Sequence, residues 1–130
     1  MSLARDGQIV RPGEIAIAPN GMHMGVLPGR RIQLVADDPI GSHRPAVTFM
    51  FSALARSYGA RALGVILTGI GRDGADGLTE LHTAGGRVIA QDEASSVVYG
   101  MPRVVVEAGL ADEVLPISTI AAAIARACAR

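Results

Sequence analysis

The chain has 130 residues, the length of one ordinary domain, and its twelve basic residues balance twelve acidic ones for a formal net charge of zero. That balance removes the basic field on which nucleic-acid and anionic-lipid binding depend, and 49% hydrophobic against 18% charged residues excludes intrinsic disorder. The longest apolar runs, such as residues 62–67, fall far short of the roughly 20 residues that span a bilayer.

In chain order, Met1-Ser2-Leu3 reads as a leader left by cloning, with residues 1–5 disordered ahead of a single domain. Residues 13–36 read as β. Residues 13–18 alternate toward a turn at Pro19-Asn20-Gly21. Met22-His23-Met24-Gly25-Val26 and Arg31-Ile32-Gln33-Leu34-Val35 then flank Pro28-Gly29, which predicts an antiparallel hairpin. From residue 46 the period becomes helical: Val47, Met50, Phe51, Leu54 and Tyr58 share one face, and Gly59 stops the pattern. Three strand–helix units follow, a strand over 62–68 with a helix over 73–84, a strand over 87–91 with a helix around 102–108, and a strand at 114–115 with a helix over 118–129.

Short apolar strands alternating with helices predict an α/β fold, a Rossmann-like, doubly wound parallel sheet with helices on both faces and the N-terminal antiparallel hairpin attached. Three strands are few, since such sheets usually carry about five or six. The chain therefore reads as an incomplete fold that either forms a homo-oligomer to cover a raw sheet edge or has been cut from something longer. Cys128, the single cysteine, forms no internal disulfide and fits a reducing cytoplasm.

Sixteen glycines are an excess that must be placed, and four of them fall in the nine residues from Gly69 to Gly77. This loop follows the strand Leu63-Gly64-Val65-Ile66-Leu67 and so lies at the carboxyl end of a parallel strand, where α/β proteins place ligands. Gly69, Gly71 and Gly74 spell G-x-G-x-x-G, with Asp92 near the distance of a ribose-binding acid, the form of a dinucleotide fingerprint. Asp73 opposes that reading, because it plants a carboxylate where a pyrophosphate would lie. A plainer alternative has Asp73 or Asp76 capping the helix that follows, with the glycines permitting the turn.

Other polar residues offer less. His23, His43 and His82 share no metal-ligand spacing, and neither a metal nor a cofactor is expected. His82 reads as a partly exposed helical residue, Ser95-Ser96 as a helix-entry cap, and Cys128 as core-facing filler; Met22 and Met24 read as strand packing. No G-x-S-x-G elbow is present.

The segment Gly64-Val65-Ile66-Leu67-Thr68-Gly69-Ile70-Gly71-Arg72-Asp73-Gly74-Ala75 resembles the signature of the protein-glutamate methylesterases of bacterial chemotaxis, the CheB family. Three further segments match in the same order: Ile17-Ala18-Pro19 with Met22-His23-Met24, then His43-Arg44-Pro45, then residues 89–103 through Tyr99-Gly100-Met101-Pro102-Arg103. The resemblance runs from about Asp6 to the C-terminus and implies an α/β esterase domain, often preceded by a receiver domain. It implies removal of methyl groups from glutamyl esters on chemoreceptor cytoplasmic helices, and in some members deamidation of receptor glutamines. It also implies a Ser-His-Asp triad in that chain order, with Asp73 at the aspartate position.

Gly69, Ile70, Gly71, His23 and Met101 are then expected to line the substrate cleft. The family's serine turn, of the Gly-Ala-Ser-Thr-Gly-Gly type, and its histidine segment, commonly Gln-His-Met, both precede the point where this chain begins. Ile70 stands where the family usually has methionine. The fragment is expected to be inactive alone; the alternatives are a non-catalytic receptor-binding or assembly module and nucleotide binding at the 69–74 loop. On triad logic Asp73→Asn is expected to abolish hydrolysis while leaving the melting temperature near normal, because Asn caps a helix nearly as well as Asp.

Overall fold

The computed structural model describes residues 1–129. Ser2–Leu3 (β1) pairs in parallel with Ala16–Ile17 (β2), and the Ala4 amide donates to the Ile17 carbonyl at 2.8 Å. Ala4 is buried in a small core with Met24 and Ile32. The disordered leader expected over residues 1–5 is thus replaced by a paired segment. Two-residue strands carry no readable period, and the alternation over 13–18 yields only β2.

His23–Leu27 (β3) and Arg31–Val35 (β4) form the expected antiparallel hairpin, with His23 opposite Val35 and Leu27 opposite Arg31. Its turn is locked from outside. The Tyr58 hydroxyl donates to the Leu27 carbonyl at 2.9 Å and accepts from the Arg30 amide at 2.8 Å. Arg30 has φ 60°, a conformation that gains from a fixed partner. Tyr58→Phe removes both bonds and is expected to cost about 1–2 kcal/mol, read as a lower denaturation midpoint. An unchanged midpoint would mean that the turn holds itself.

The helix Val47–Ser57 (α1) lies between hairpin and sheet, sending Met50 toward the Met24–Ile32 core and Phe51 into the larger one. Beyond it Leu63–Ile66 (β5), Ala75–Thr83 (α2), Arg87–Gln91 (β6), Met101–Glu107 (α3), Glu113–Leu115 (β7) and Ile117–Cys128 (α4) alternate. The strands are parallel in the order β5-β6-β7, with Leu63 beside Arg87 and Ile89 beside Glu113. Strand alternation splits the sheet's side chains. Ile66 and Val88 pack with Phe51, Leu78, Leu81, Val105 and Leu110, under α1, α2 and α3; Leu63, Val65 and Ile89 pack on the other face with Ile120, Ala123 and Ile124 of α4. Leu78 and Leu81 are wholly buried, each contributing about 2–3 kcal/mol of transfer free energy. The α/β reading with helices on both faces holds.

Two details differ from expectation. Cys128 is exposed rather than core-facing. The helix expected from residue 73 starts at Ala75, because Gly74 at φ 101° turns the chain just before it. Among the described residues, no strand pairs with the outer edge of β5, and no helix is long and apolar enough to cross a membrane.

Candidate functional site

The site is built at the carboxyl end of β5, where two loops are tied together. The Thr68 amide donates at 2.8 Å to Oε1 of Gln91, a side chain buried at the end of β6. The Thr68 hydroxyl donates to the Val98 carbonyl at 3.0 Å and accepts from the Val98 amide at 2.9 Å. Next, the Gly69 amide donates to the Val98 carbonyl, and the Gly69 carbonyl accepts from the amides of Gly100 and Met101, all at 3.0 Å. A Cβ on Gly100 would stand 2.6 Å from that carbonyl, so only glycine allows the second loop so close. The loop's tip stays open to solvent, with Ile70 84% exposed.

Past the tip the chain turns back through Gly74 and delivers Asp73 to the start of α1. Asp73 Oδ2 accepts from the Val47 amide at 2.8 Å and Oδ1 from the Thr48 amide at 3.1 Å, while the Gly74 amide donates to Thr48 Oγ1 at 2.9 Å. The first amides of a helix lack intrahelical partners, and Ala46 at the N-cap has no oxygen to offer them. Asp73 fills that need from 26 residues away. It is a cap, though of α1 rather than of the helix that follows. Asp76 lies exposed in the first turn of α2, which has no side-chain cap at all.

This seat suits a carboxylate. Two N–H groups at the start of α1 fix its orientation. Each carboxylate oxygen has about two acceptor positions, so one on each oxygen remains for a further donor. Asp73 is only half-buried, so such a donor has access. No histidine or serine side chain hydrogen-bonds it among the described residues.

Gly69, Ile70, Gly71 and Asp73 are brought onto this loop, and Met101 joins them, its Sδ 3.2 Å from where a Cβ on Gly69 would lie. His23 is not on the surface with them. Its side chain is wholly buried, Nδ1 accepts from the Ala46 amide at 3.2 Å, and Nε2 lies 2.9 Å from the Asp38 carbonyl. The ring also stacks on Phe49 at 4.8 Å. A residue with both nitrogens occupied and no exposed atom does not touch substrate, so the cleft-lining expectation for His23 gives way to a place beneath the site.

The dinucleotide geometry is absent. The Gly69 and Gly74 amides that would face a phosphate already bond protein oxygens. Asp92 Oδ1 accepts from the Ser95 amide at 3.0 Å and hydroxyl at 2.6 Å, which closes a local turn instead of leaving a free ribose acceptor. Ser95 does cap a helix, but not the next one in the chain: its hydroxyl accepts from the Ile117 amide of α4 at 3.0 Å, while α3, the helix that follows it, has no side-chain cap. His43 and His82 lie exposed. Sequence reasoning missed Thr48, Thr68 and Gln91. Thr48 left one signal, a hydroxyl in the first turn of a helix whose N-cap is alanine.

A family model described as CheB methylesterase matches residues 1–124. The chain is 49% identical over 121 residues to protein-glutamate methylesterase/protein-glutamine glutaminase 4 of Myxococcus xanthus, covering 93% of this chain and 34% of that protein. It is 47% identical over 133 residues to protein-glutamate methylesterase/protein-glutamine glutaminase 2 of Pseudomonas aeruginosa, covering 100% of this chain and 38% of that one. The crystal structure of the Thermotoga maritima CheB methylesterase catalytic domain matches with a TM-score of 0.86 and 41% identity, over 91% of this chain and 64% of that chain. The chain thus spans about a third of the length of the curated relatives it matches.

Proposed function

The chain belongs to the CheB methylesterase family, and from that premise we propose that it is the C-terminal part of a methylesterase domain in which Asp73 is the third member of a Ser-His-Asp triad. One observation carries the reading: the Asp73 carboxylate is pinned by two backbone amides and still has acceptor positions to offer a histidine.

In this mechanism the serine hydroxyl, relieved of its proton by the histidine, attacks the carbonyl of a glutamyl methyl ester on a chemoreceptor cytoplasmic helix. The tetrahedral intermediate collapses, and methanol leaves with the proton that the imidazolium returns. Water, activated by the same histidine, then hydrolyses the acyl-serine to free the glutamate. Asp73 stays ionised throughout, accepting the imidazole N–H, fixing its tautomer and stabilising the imidazolium. An amide substrate runs the same course with ammonia as the leaving group, which makes receptor glutamines alternative substrates. The 69–72 loop with Met101 forms one wall of the cleft. A receiver domain ahead of the esterase and a cytoplasmic location complete the proposal.

The coding DNA directly upstream tests this. An in-frame serine turn of the Ser-Thr-Gly-Gly type followed by a Gln-His-Met-like segment is expected, and their absence overturns the triad. The purified 130-residue chain should release no methanol from methylated receptor, since it supplies the aspartate alone. Release abolished by replacing one of its own serines would show that the nucleophile had been misassigned. The open outer edge of β5 also leads us to expect self-association of that isolated chain. A stable monomer at micromolar concentration, by light scattering, would count against it.

A further inference from the structure

Three consecutive amides open α1, and side chains from two other parts of the chain hold all three. Ala46 N–H goes to His23 Nδ1 at 3.2 Å, Val47 N–H to Asp73 Oδ2 at 2.8 Å and Thr48 N–H to Asp73 Oδ1 at 3.1 Å. Within one helical turn these amides keep fixed positions relative to one another, so whatever sets the first also sets the other two.

His23 is well placed to set it. A carbonyl only accepts, so the 2.9 Å approach of Nε2 to the Asp38 carbonyl assigns the proton to Nε2 and leaves Nδ1 as a bare acceptor. The ring is wholly buried and stacked on Phe49, its planes 14° apart. His23 sits at the first position of β3, anchored by pairing with Val35. A hairpin-borne acceptor thus fixes the start of α1, and α1 in turn fixes the carboxylate.

We propose that His23 is a positioning residue for Asp73: a neutral, buried imidazole that holds the first turn of α1 and, through the Val47 and Thr48 amides, the orientation of the Asp73 carboxylate. Its catalytic consequence rests on the triad reading above; the structural link stands independently of it.

The test compares two variants in the protein expressed from its intact gene. His23→Asn carries an oxygen close to the Nδ1 position and keeps the bond from Ala46. His23→Gln reaches toward the Asp38 carbonyl but leaves the Ala46 amide without an acceptor. Hydrogen exchange at amides 46–48 should stay slow in the Asn variant and run about tenfold faster in the Gln variant, the loss of one hydrogen bond, with the β6 amides unchanged in both. With methylated receptor as substrate, the Gln variant should lose kcat at unchanged KM, while the Asn variant stays within a few-fold of the parent. Equal acceleration in both variants, acceleration in neither, or acceleration spread through β6 would reduce His23 to ordinary core packing and overturn the proposal. Should the variants fail to fold, the nitrogen NMR spectrum of the unaltered protein decides: His23 with its proton on Nε2 supports the link, and a proton on Nδ1 overturns it. Absence of any esterase activity in the unaltered protein would remove the triad reading, leaving exchange and tautomer to judge the positioning.

Discussion

Asp73→Asn in the full-length protein should lower the turnover of methyl-ester hydrolysis on the order of 10⁴-fold, about 5–6 kcal/mol of barrier, the size of effect seen when a triad aspartate loses its charge. The same change should also lower stability. Asn offers one oxygen where Asp offers two, so its amide group must confront either the Val47 or the Thr48 N–H, donor against donor. Leaving one such amide unsatisfied costs about 1–3 kcal/mol. This corrects the expectation, drawn from cap preferences alone, that the melting temperature would hold: Asn is nearly equal to Asp as a cap only where one oxygen serves. Turnover must therefore be compared well below both melting temperatures. Asp76→Asn is the control. Asp76 is exposed in the first turn of α2, where a charge is worth about 0.3–1 kcal/mol. It should keep most of the activity. Equal, mild effects at both positions would remove Asp73 from the triad.

A second large effect is expected at Gly77. Helix propensity alone favours alanine over glycine by about 1 kcal/mol. Here, a Cβ would meet the Thr48 carbonyl at 2.6 Å and the Phe51 Cβ at 2.9 Å, because the backbones of α1 and α2 approach closely at this point. Neither neighbour is the free end of a flexible side chain, so the helices must part. Gly77→Ala should cost about 1–3 kcal/mol, a fall in melting temperature on the order of 5 °C or more. Since Thr48 belongs to the turn that holds Asp73, activity should fall as well. Thr79→Ala, exposed on the same helix, should change either property little. A higher melting temperature for Gly77→Ala would show that the helices are not in contact there.

What the sequence made legible follows the range of each physical cause. Strand–helix alternation is a local pattern, and residues 87–91 emerge as the strand Arg87–Gln91 because a buried parallel strand must be continuously apolar. Asp73 stands out through a long motif with a sharp glycine turn. Its partner does not, because capping rules look only a few residues along the chain. The amides Asp73 satisfies lie 26 and 25 residues away, Ser95 caps α4 from 22 residues away, and His23 reaches Ala46 across 23. Each of these bonds exists only once the packing of hairpin, helices and parallel sheet brings distant segments over helix starts. Gln91 was hidden for the same reason: its partner, the Thr68 amide 23 residues away, reaches it only when the loop after β5 folds over the end of β6. The start of the chain was misread because β1 has no partner nearer than Ala16.

The most direct measurement is the proton NMR spectrum of the full-length protein in the far-downfield region, where an imidazole N–H held by a carboxylate resonates. Such a resonance is expected in the unaltered protein and in Asp76→Asn, and it should vanish in folded Asp73→Asn. Its persistence in Asp73→Asn would show that the histidine leans on another group and would contradict the placing of Asp73 in the triad.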